Sequence, residues 1–382
     1  MTHLSRRQVL RGSAGAALLM ALSACTDNHD GTSDGRKPVL PTAATPRNWL
    51  LPEEGAPHSR TWMAFGASAD IWGAELLPQV RQDLVRVARA IAAFEPVTML
   101  VRPEETALAK DLLGSDVELL EAALDDLWIR DTGPTFVTAG GAKTGVDFNF
   151  NGWGDHQHHE ADTRVAGLIC AHVGETALTT SLVLEGGALE VDGQGSAIIT
   201  ESCVLNNNRN PRVSKADVED ALAGLLGVSK IIWLPGVAGR DITDGHTDFY
   251  ARFTGPGHVL ATLEPDPTSY DYSVTRRHLE ILEAEHDALG RPLTVTTLMG
   301  PSQLRAASPA PDFAAGYANF YVCNSAVIAA NFGDPTTDDQ AQAVLADLYP
   351  DRTIVTVDID AIASGGGGIH CATQQEPAQP TT

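Results

Sequence analysis

Apolar residues follow two patterns along this chain. Short apolar runs at residues 97–101, 117–120 and 230–234 have the length of buried strands, whereas longer stretches repeat apolar residues at helical spacing. The predicted helices cover residues 78–94, 104–113, 214–226, 273–289 and 338–348. Paired strands are expected within residues 183–200, 247–263 and 319–332. This alternation predicts a mixed α/β fold, although no internal sequence repeat is visible.

The N-terminus departs from this pattern and predicts an export signal. Residues 5–10 read Ser-Arg-Arg-Gln-Val-Leu, and the apolar run at 12–22 is too short for a stable membrane-spanning helix. Twin arginines of this kind direct export of folded proteins. Residues 22–25, Leu-Ser-Ala-Cys, resemble a bacterial lipobox in which Cys25 is lipidated; an ordinary cleaved signal is the alternative. We therefore expect a protein anchored on the outer face of the cytoplasmic membrane, or a secreted one.

The remaining chain divides by composition. Residues 26–47 are polar and rich in Gly and Pro, which predicts a flexible linker because such a segment buries little apolar surface. Residues 48–377 have the composition of a globular domain, and residues 378–382 form a short tail. The only predicted link to a membrane is the lipid anchor.

The charge of the chain limits its partners. The formal net charge is −23, which disfavours nucleic acid and favours a small cationic ligand, although an extracellular habitat could also account for it. The sequence has no Gly-x-Gly-x-x-Gly fingerprint after a strand and no P-loop, so nucleotide-dependent chemistry has no support.

Among the five cysteines, one is a candidate nucleophile. No pair has the spacing of a zinc site or a redox motif. Cys170 lies in an apolar helical run, and Cys203 and Cys323 lie in strand-like runs, so all three are expected to be buried small apolar residues. Cys371 instead follows four glycines, where backbone and charged groups could stabilise a thiolate.

Five polar clusters in turn-rich contexts supply partners for Cys371. They occupy residues 128–134, 148–154, 184–187, 244–248 and 365–377. Their candidate catalytic residues are Asp131, Glu185, His246, Asp248 and Cys371. A guanidinium group is planar and cationic, so carboxylates can hold it at two edges. Its carbon is a poor electrophile and needs a thiolate, while a carboxylate-supported histidine can protonate the departing ammonia.

These clusters resemble the motifs of a known family. Residues 128–134 match W-x-R-D-x-G-P, residues 185–187 match E-G-G, residues 243–248 match T-D-G-H-x-D, and residues 369–375 match I-H-C-x-T-Q-Q. Residues 51–63 resemble the family's opening segment, and residues 151–154 its N-x-W-G segment. Over residues 50–377 the chain resembles the agmatine deiminase and bacterial-type peptidylarginine deiminase family, within the guanidino-group-modifying superfamily.

The resemblance implies a fold and a set of roles. The implied fold is a five-bladed α/β propeller of ββαβ modules around a pseudo-fivefold axis, with the site at its centre and no metal or organic cofactor. Cys371 would attack the guanidinium carbon, and His246 would act first as acid and then as base. Asp131 and Asp248 would hold the guanidinium, with Glu185 beside His246 or the substrate. The implied substrate-binding set also contains Trp128, along the substrate's apolar arm, Trp153 and Gly368.

Four features qualify the resemblance. Ala64-Phe65-Gly66 stands where the family has an aromatic–proline pair, and Gly368 stands where it has asparagine, next to the nucleophile. His156, His158 and His159 could form a metal site, but a hydrophilic loop is the preferred interpretation. His370 is expected to point away from Cys371 if this segment is extended, because neighbours then alternate faces.

The predicted reaction is hydrolysis of agmatine to N-carbamoylputrescine and ammonia. No Arg or Lys occurs at residues 148–162 to receive a substrate carboxylate, which favours agmatine over arginine-containing substrates. Three alternatives stay open: a peptidylarginine deiminase, an amidinotransferase, and a surface lipoprotein that binds guanidinium without turnover. The expected partner is a small cationic guanidino compound, and self-association into a homo-oligomer is left open.

Overall fold

The computed structural model describes residues 48–305 and 313–379. The predicted export signal, Cys25 and the linker at residues 26–47 lie outside the described residues. Within the described ranges, no helix combines the length and apolar character needed to cross a bilayer.

Strands and helices alternate through the domain, as the sequence predicts. The strands are β1 (His58–Phe65), β2 (Val97–Val101), β3 (Val117–Glu121), β4 (Thr135–Ala139), β5 (Ala142–Asp147), β6 (Leu178–Thr179), β7 (Leu189–Val191), β8 (Ser196–Thr200), β9 (Lys230–Leu234), β10 (Ala251–Gly255), β11 (His258–Leu263), β12 (Thr294–Met299), β13 (Tyr321–Cys323), β14 (Ala326–Asn331), β15 (Thr353–Asp358) and β16 (Gln374–Pro377). The helices are α1 (Ala69–Ala92), α2 (Thr106–Leu113), α3 (Ile129–Thr132), α4 (Gly152–Asp155), α5 (Val165–His172), α6 (Glu201–Val204), α7 (Lys215–Leu226), α8 (Tyr272–Ala284), α9 (Pro335–Leu348) and α10 (Asp360–Ala363). The mixed α/β class is therefore confirmed.

The strands form five small sheets with one shared topology. Four of them have the orders β4-β5-β6, β7-β8-β9, β10-β11-β12 and β13-β14-β15. In each, an antiparallel hairpin is followed by a third strand that pairs in parallel with the second. Helical segments make the parallel crossovers, as parallel pairing requires. Each sheet with its helical crossover is thus a ββαβ module.

The fifth module joins the two ends of the domain. Its sheet has the order β16-β1-β2-β3, in which the C-terminal β16 is antiparallel to β1 and β1 is parallel to β2. Helix α1 makes the crossover between β1 and β2. The hairpin that the other modules build locally is therefore built here from residues more than 300 positions apart, such as His58 and Pro377.

Local chemistry explains where the predicted elements begin and end. Helix α7 starts at a capping box, in which the side chains of Ser214 and Asp217 satisfy each other's backbone N–H groups. Helix α1 begins nine residues before the predicted start, and Gly73, with a φ of 73°, kinks this added N-terminal turn away from the rest of the helix. The strand predicted around Cys203 is wrong: β8 ends at Thr200, and Cys203 lies in the short helix α6.

Candidate active site

The site residues occupy the same place in successive modules, just before the first strand of each hairpin. Asp131 precedes β4, Glu185 precedes β7, His246 and Asp248 precede β10, and Cys371 precedes β16. The remaining module places Asn319 in the corresponding position, two residues before β13. Sequence motifs identified the contributions of the other four modules but missed Asn319.

Cys371 lies in a tight turn with its thiol between a carboxylate and an amide. Its Sγ is 3.4 Å from Asp248 Oδ2 and accepts a hydrogen bond from Asn319 Nδ2 at 3.3 Å. The backbone N–H of Ala372 donates to the carbonyl oxygens of Gly368 and Ile369, so the segment is a turn rather than a strand. The alternation argument for His370 therefore does not apply.

His246 is held among carboxylates. Its Nε2 is 3.4 Å from Glu185 Oε2 and its Nδ1 is 3.8 Å from Asp131 Oδ1. Burial alone would lower the pKa of His246, but Asp131, Cys203 and Glu185 outweigh burial and raise it well above its ordinary value. The imidazole is thus kept in the protonated form that can donate a proton to a leaving group.

Glu185 is fixed by a buried arginine that the motifs did not indicate. Arg209 Nε donates to Glu185 Oε1 at 3.0 Å, and Arg209 Nη1 donates to Asp244 Oδ2 at 2.7 Å. Burial would raise the pKa of Glu185, but Arg209 and His246 outweigh burial and lower it to about 2. Cys203 is buried as predicted, yet its Sγ donates to Glu185 Oε2 at 3.4 Å, so it also has a polar contact in this cluster.

The carboxylate of Asp248 is in hydrogen-bond contact with His370. His370 Nδ1 is 2.8 Å from Asp248 Oδ2, and its Nε2 is 2.7 Å from Glu54 Oε2. Burial would raise the pKa of Asp248, but the hydrogen bond and charge of His370 lower it below its ordinary value. Asp248 Oδ1 is buried and has no hydrogen-bond partner among the described residues, which leaves an acceptor available to a ligand.

The two predicted tryptophans have different surroundings. Trp153 is buried and donates from Nε1 to Asp131 Oδ2 at 2.9 Å, so it orients a carboxylate of the site. Trp128 is also buried; its ring lies 5.8 Å from that of Trp72, and a Cβ at Gly367 would fall 2.2 Å from it. Phe65 lies in the hydrophobic core, where the Arg81 guanidinium stacks over its ring.

A cavity of about 620 Å³ reaches His246 and Cys371 from outside. Four acidic residues contribute to its wall: Asp241, Glu264, Asp266 and Asp271. Aromatic rings line it as well, including those of Phe249, Tyr250, Tyr270 and Phe313. Of the residues that the structure describes, no lysine or arginine lines this cavity. The route to the nucleophile therefore suits a cationic molecule with an apolar chain.

The histidine loop does not gather into a metal site. His156 Nδ1 lies 3.3 Å from the carbonyl of Ile242, His159 Nδ1 lies 2.8 Å from that of Gln157, and His158 is exposed beside Asp125. Two groups of metal-ligand types do converge among the described residues: Glu185 with Cys203 and His246, and Glu54 with Glu190 and His370. Both groups already contain arginine ion pairs, from Arg209 and Arg252, which oppose binding of a second cation.

Together, a buried cysteine, a protonated histidine and paired carboxylates on ββαβ modules define a hydrolase acting on guanidino C–N bonds. The family model for Porphyromonas-type peptidyl-arginine deiminase matches residues 50–377. The chain belongs to this family. It is 38% identical over 360 residues to an agmatine deiminase of Ectopseudomonas mendocina, covering 87% of this chain and 97% of that protein.

Further relatives agree in sequence and in structure. An agmatine deiminase of Pseudomonas aeruginosa is 37% identical over 361 residues, covering 88% of this chain and 98% of that protein. The solved structure of the agmatine deiminase of Enterococcus faecalis superposes with a TM-score of 0.81 at 32% identity, covering 87% of this chain and 96% of that chain.

Proposed function

We propose that this protein hydrolyses agmatine to N-carbamoylputrescine and ammonia through a covalent intermediate on Cys371. The observation that carries the proposal is that Cys371, which contacts Asp248, and His246 both reach a cavity lined by four acidic residues and, among the described residues, by no lysine or arginine. Agmatine has a guanidinium at one end and an ammonium at the other, so both of its charged groups suit these surroundings.

The geometry supports a two-stage mechanism. The unpartnered Oδ1 of Asp248, together with Asp131, binds the guanidinium nitrogens and places its carbon next to Cys371 Sγ. The thiolate attacks this carbon, and His246 gives its proton to the departing ammonia, which leaves a thiouronium-like adduct on Cys371. Water then attacks the same carbon while His246 takes up its proton. The C–S bond breaks as the new hydroxyl group loses its proton to solvent, which regenerates the thiolate and releases the urea group of N-carbamoylputrescine.

Arginine and arginine-terminated peptides are poorer candidates for this cavity. Each carries a carboxylate that would face Asp241, Glu264, Asp266 and Asp271 without a compensating cation. Repulsion between these acids and the substrate carboxylate would oppose binding. The cavity wall therefore selects against such substrates as well as attracting a cationic one.

Two further expectations extend the proposal. The five modules are arranged around a pseudo-fivefold axis, which is supported by their shared topology and by the common position of their site residues.

The protein is exported by the twin-arginine route and anchored through Cys25, which is supported by the sequence of residues 5–25. Cell fractionation tests this: a double Arg6→Lys, Arg7→Lys variant is retained in the cytoplasm, and Cys25→Ala releases the exported protein from the membrane. Retention of Cys25→Ala at the membrane would contradict the anchor.

An ammonia-release screen tests the activity. Wild type is assayed against agmatine, arginine, methylated arginines and an arginine-terminated peptide, with N-carbamoylputrescine identified by mass spectrometry. Cys371→Ala is expected to lose at least about a thousandfold in kcat, because the nucleophile is absent. Cys323→Ala, which removes a buried cysteine of β13, is the matched control and keeps its activity. Tight agmatine binding with no ammonia release at any pH would contradict this proposal and favour the alternative, a surface lipoprotein that binds guanidinium without turnover.

A further inference from the structure

The module containing β13 and β14 contributes an amide where the other modules contribute an acid, a histidine or the cysteine. Asn319 stands two residues before β13, is buried, and touches the nucleophile. Its Nδ2 donates to Cys371 Sγ at 3.3 Å. A nitrogen donor at this distance stabilises a thiolate more than a thiol, because hydrogen bonds to an ionised acceptor are stronger.

The same side chain also holds the backbone that carries Cys371. Asn319 Oδ1 accepts the N–H of His370 at 3.0 Å and the N–H of Cys371 at 3.4 Å. The carbonyl oxygen of Asn319 accepts a further bond from the His370 N–H at 3.2 Å. These hydrogen bonds to Oδ1 fix the orientation of the Asn319 amide, and in that orientation Nδ2 points toward Cys371 Sγ.

The absence of a side chain at Gly368 leaves room for the Asn319 side chain. A Cβ at position 368 would lie 2.4 Å from Asn319 Oδ1, 2.9 Å from its Cγ and 3.1 Å from its Cβ. Gly368 is not among the glycines with positive φ, so its backbone does not require glycine. What requires glycine at this position is the Asn319 side chain.

We propose that Asn319 is a positioning residue for the reaction, donating a hydrogen bond to the Cys371 thiolate, and that Gly368 is needed to let it do so. This rests on the proposed role of Cys371 as nucleophile, but not on the identity of the substrate. Gly368 then has a steric reason within this chain, which is the room that the Asn319 side chain needs.

Alkylation of Cys371 by iodoacetamide tests the proposal without substrate. The full chain is alkylated across a pH series, and the Cys371 peptide is quantified by mass spectrometry, which separates it from the peptides that carry the other cysteines. Asn319→Asp keeps the shape but replaces the donor with a carboxylate. We expect its alkylation midpoint to move up by at least about one pH unit, with a roughly tenfold slower reaction at neutral pH. Asn319→Ala should shift the midpoint in the same direction by less.

The other charged groups around Cys371 are unchanged in these variants. They include Asp248, in contact with Sγ, His370, which contacts Asp248, Asp131 and His246 from two other modules, and the four acids of the cavity wall. Asn324→Ala is the matched control, since Asn324 follows β13 and bonds His58 and Glu95 away from the site. It should lower thermal stability and leave the Cys371 midpoint in place.

A double-mutant cycle tests the role of Gly368. Gly368→Ala should shift the midpoint as Asn319→Ala does, while the double variant should shift it no further than either one, because the three atoms nearest the added Cβ all belong to Asn319. Unchanged midpoints in Asn319→Asp and Asn319→Ala, or additive effects in the cycle, would overturn the proposal. Failure of the agmatine assay alone would leave it standing, since no substrate is present in this experiment.

Discussion

The charge state of His246 decides how this site can work. A neutral imidazole could not protonate departing ammonia, and burial by itself favours the neutral form. Asp131, Cys203 and Glu185 reverse that preference and raise the pKa of His246. After ammonia leaves, the same ring is neutral and can accept the proton of water. The carboxylates therefore tune one side chain for both halves of the reaction.

Replacing Glu185 with Gln should move the alkaline limit of activity. The raised pKa keeps His246 protonated as pH rises, and loss of one carboxylate lowers that pKa, so activity on agmatine should fall at lower pH than in wild type. The measurement is kcat/KM across pH. Glu201→Gln, an exposed partner of Lys215, is the control and should leave the profile unchanged. An alkaline limit that stays in place in Glu185→Gln would contradict the role of this contact.

His370→Gln should affect the acidic side of the profile. His370 lowers the pKa of Asp248, so its loss should let Asp248 take up a proton at higher pH, and the KM for agmatine should rise as pH falls. We also expect roughly a hundredfold lower kcat/KM at neutral pH, since a displaced substrate-binding carboxylate misaligns the reacting carbon. His278→Gln changes another buried histidine, beside Gly236, and serves as control. An unshifted acidic limit in His370→Gln would show that its role is only structural.

At the level of elements, short turns before the hairpins carry the chemistry. The 3-10 turn at Gly186–Ala188 follows Glu185, and the N–H of Gly187 donates to Asp131 Oδ1 at 3.0 Å. A Cβ at Gly187 would lie 2.5 Å from His246 Nδ1, 2.9 Å from Asp131 Oδ1 and 3.2 Å from Asp248 Oδ2. The glycine therefore keeps open the space where these three side chains meet.

Gly187→Ala should abolish activity while leaving the fold largely intact. The methyl group would intrude among His246, Asp131 and Asp248, where a substrate guanidinium has to fit. Agmatine turnover and thermal unfolding are measured together. Gly224→Ala, in the last turn of α7 with nothing within 4 Å of the added Cβ, is the control; it should keep full activity and gain about 0.5–1 kcal/mol of stability. Near-normal turnover in Gly187→Ala would show that the substrate guanidinium binds elsewhere than among these three side chains.

At the level of the whole molecule, the site is also part of what holds the modules together. Glu185 and Arg209 form a fully buried ion pair, and Arg209 extends the contact to Asp244 in the turn before His246. Glu54, near the start of the domain, bonds His370 near its end and also pairs with Arg252 of β10. Loss of these contacts should therefore change global stability as well as catalysis.

Stability should fall on acidification in a way that depends on Glu185. Its folded pKa is about 2 against 4.5 for the free side chain, so its contribution is present above pH 4.5 and is lost as pH falls toward 2. The shift corresponds to about 3 kcal/mol. Denaturant unfolding at pH 7, 5 and 3 measures this contribution. Between pH 5 and 3, Glu185→Gln should lose less stability than wild type; parallel curves would mean that the pair does not stabilise the folded state.

The sequence by itself determined the mixed α/β class, the strands at residues 97–101 and 230–234, the helix at residues 214–226 and the five catalytic candidates. It could do so because helical spacing, short apolar runs and turn-rich polar clusters are local patterns. The roles of Asn319, Arg209 and His370 were decided only by the tertiary structure, since their partners Cys371, Glu185 and Glu54 are remote in sequence or packed around a turn. The pairing of β16 with β1 likewise joins strands from the two ends of the domain, which no local pattern can predict.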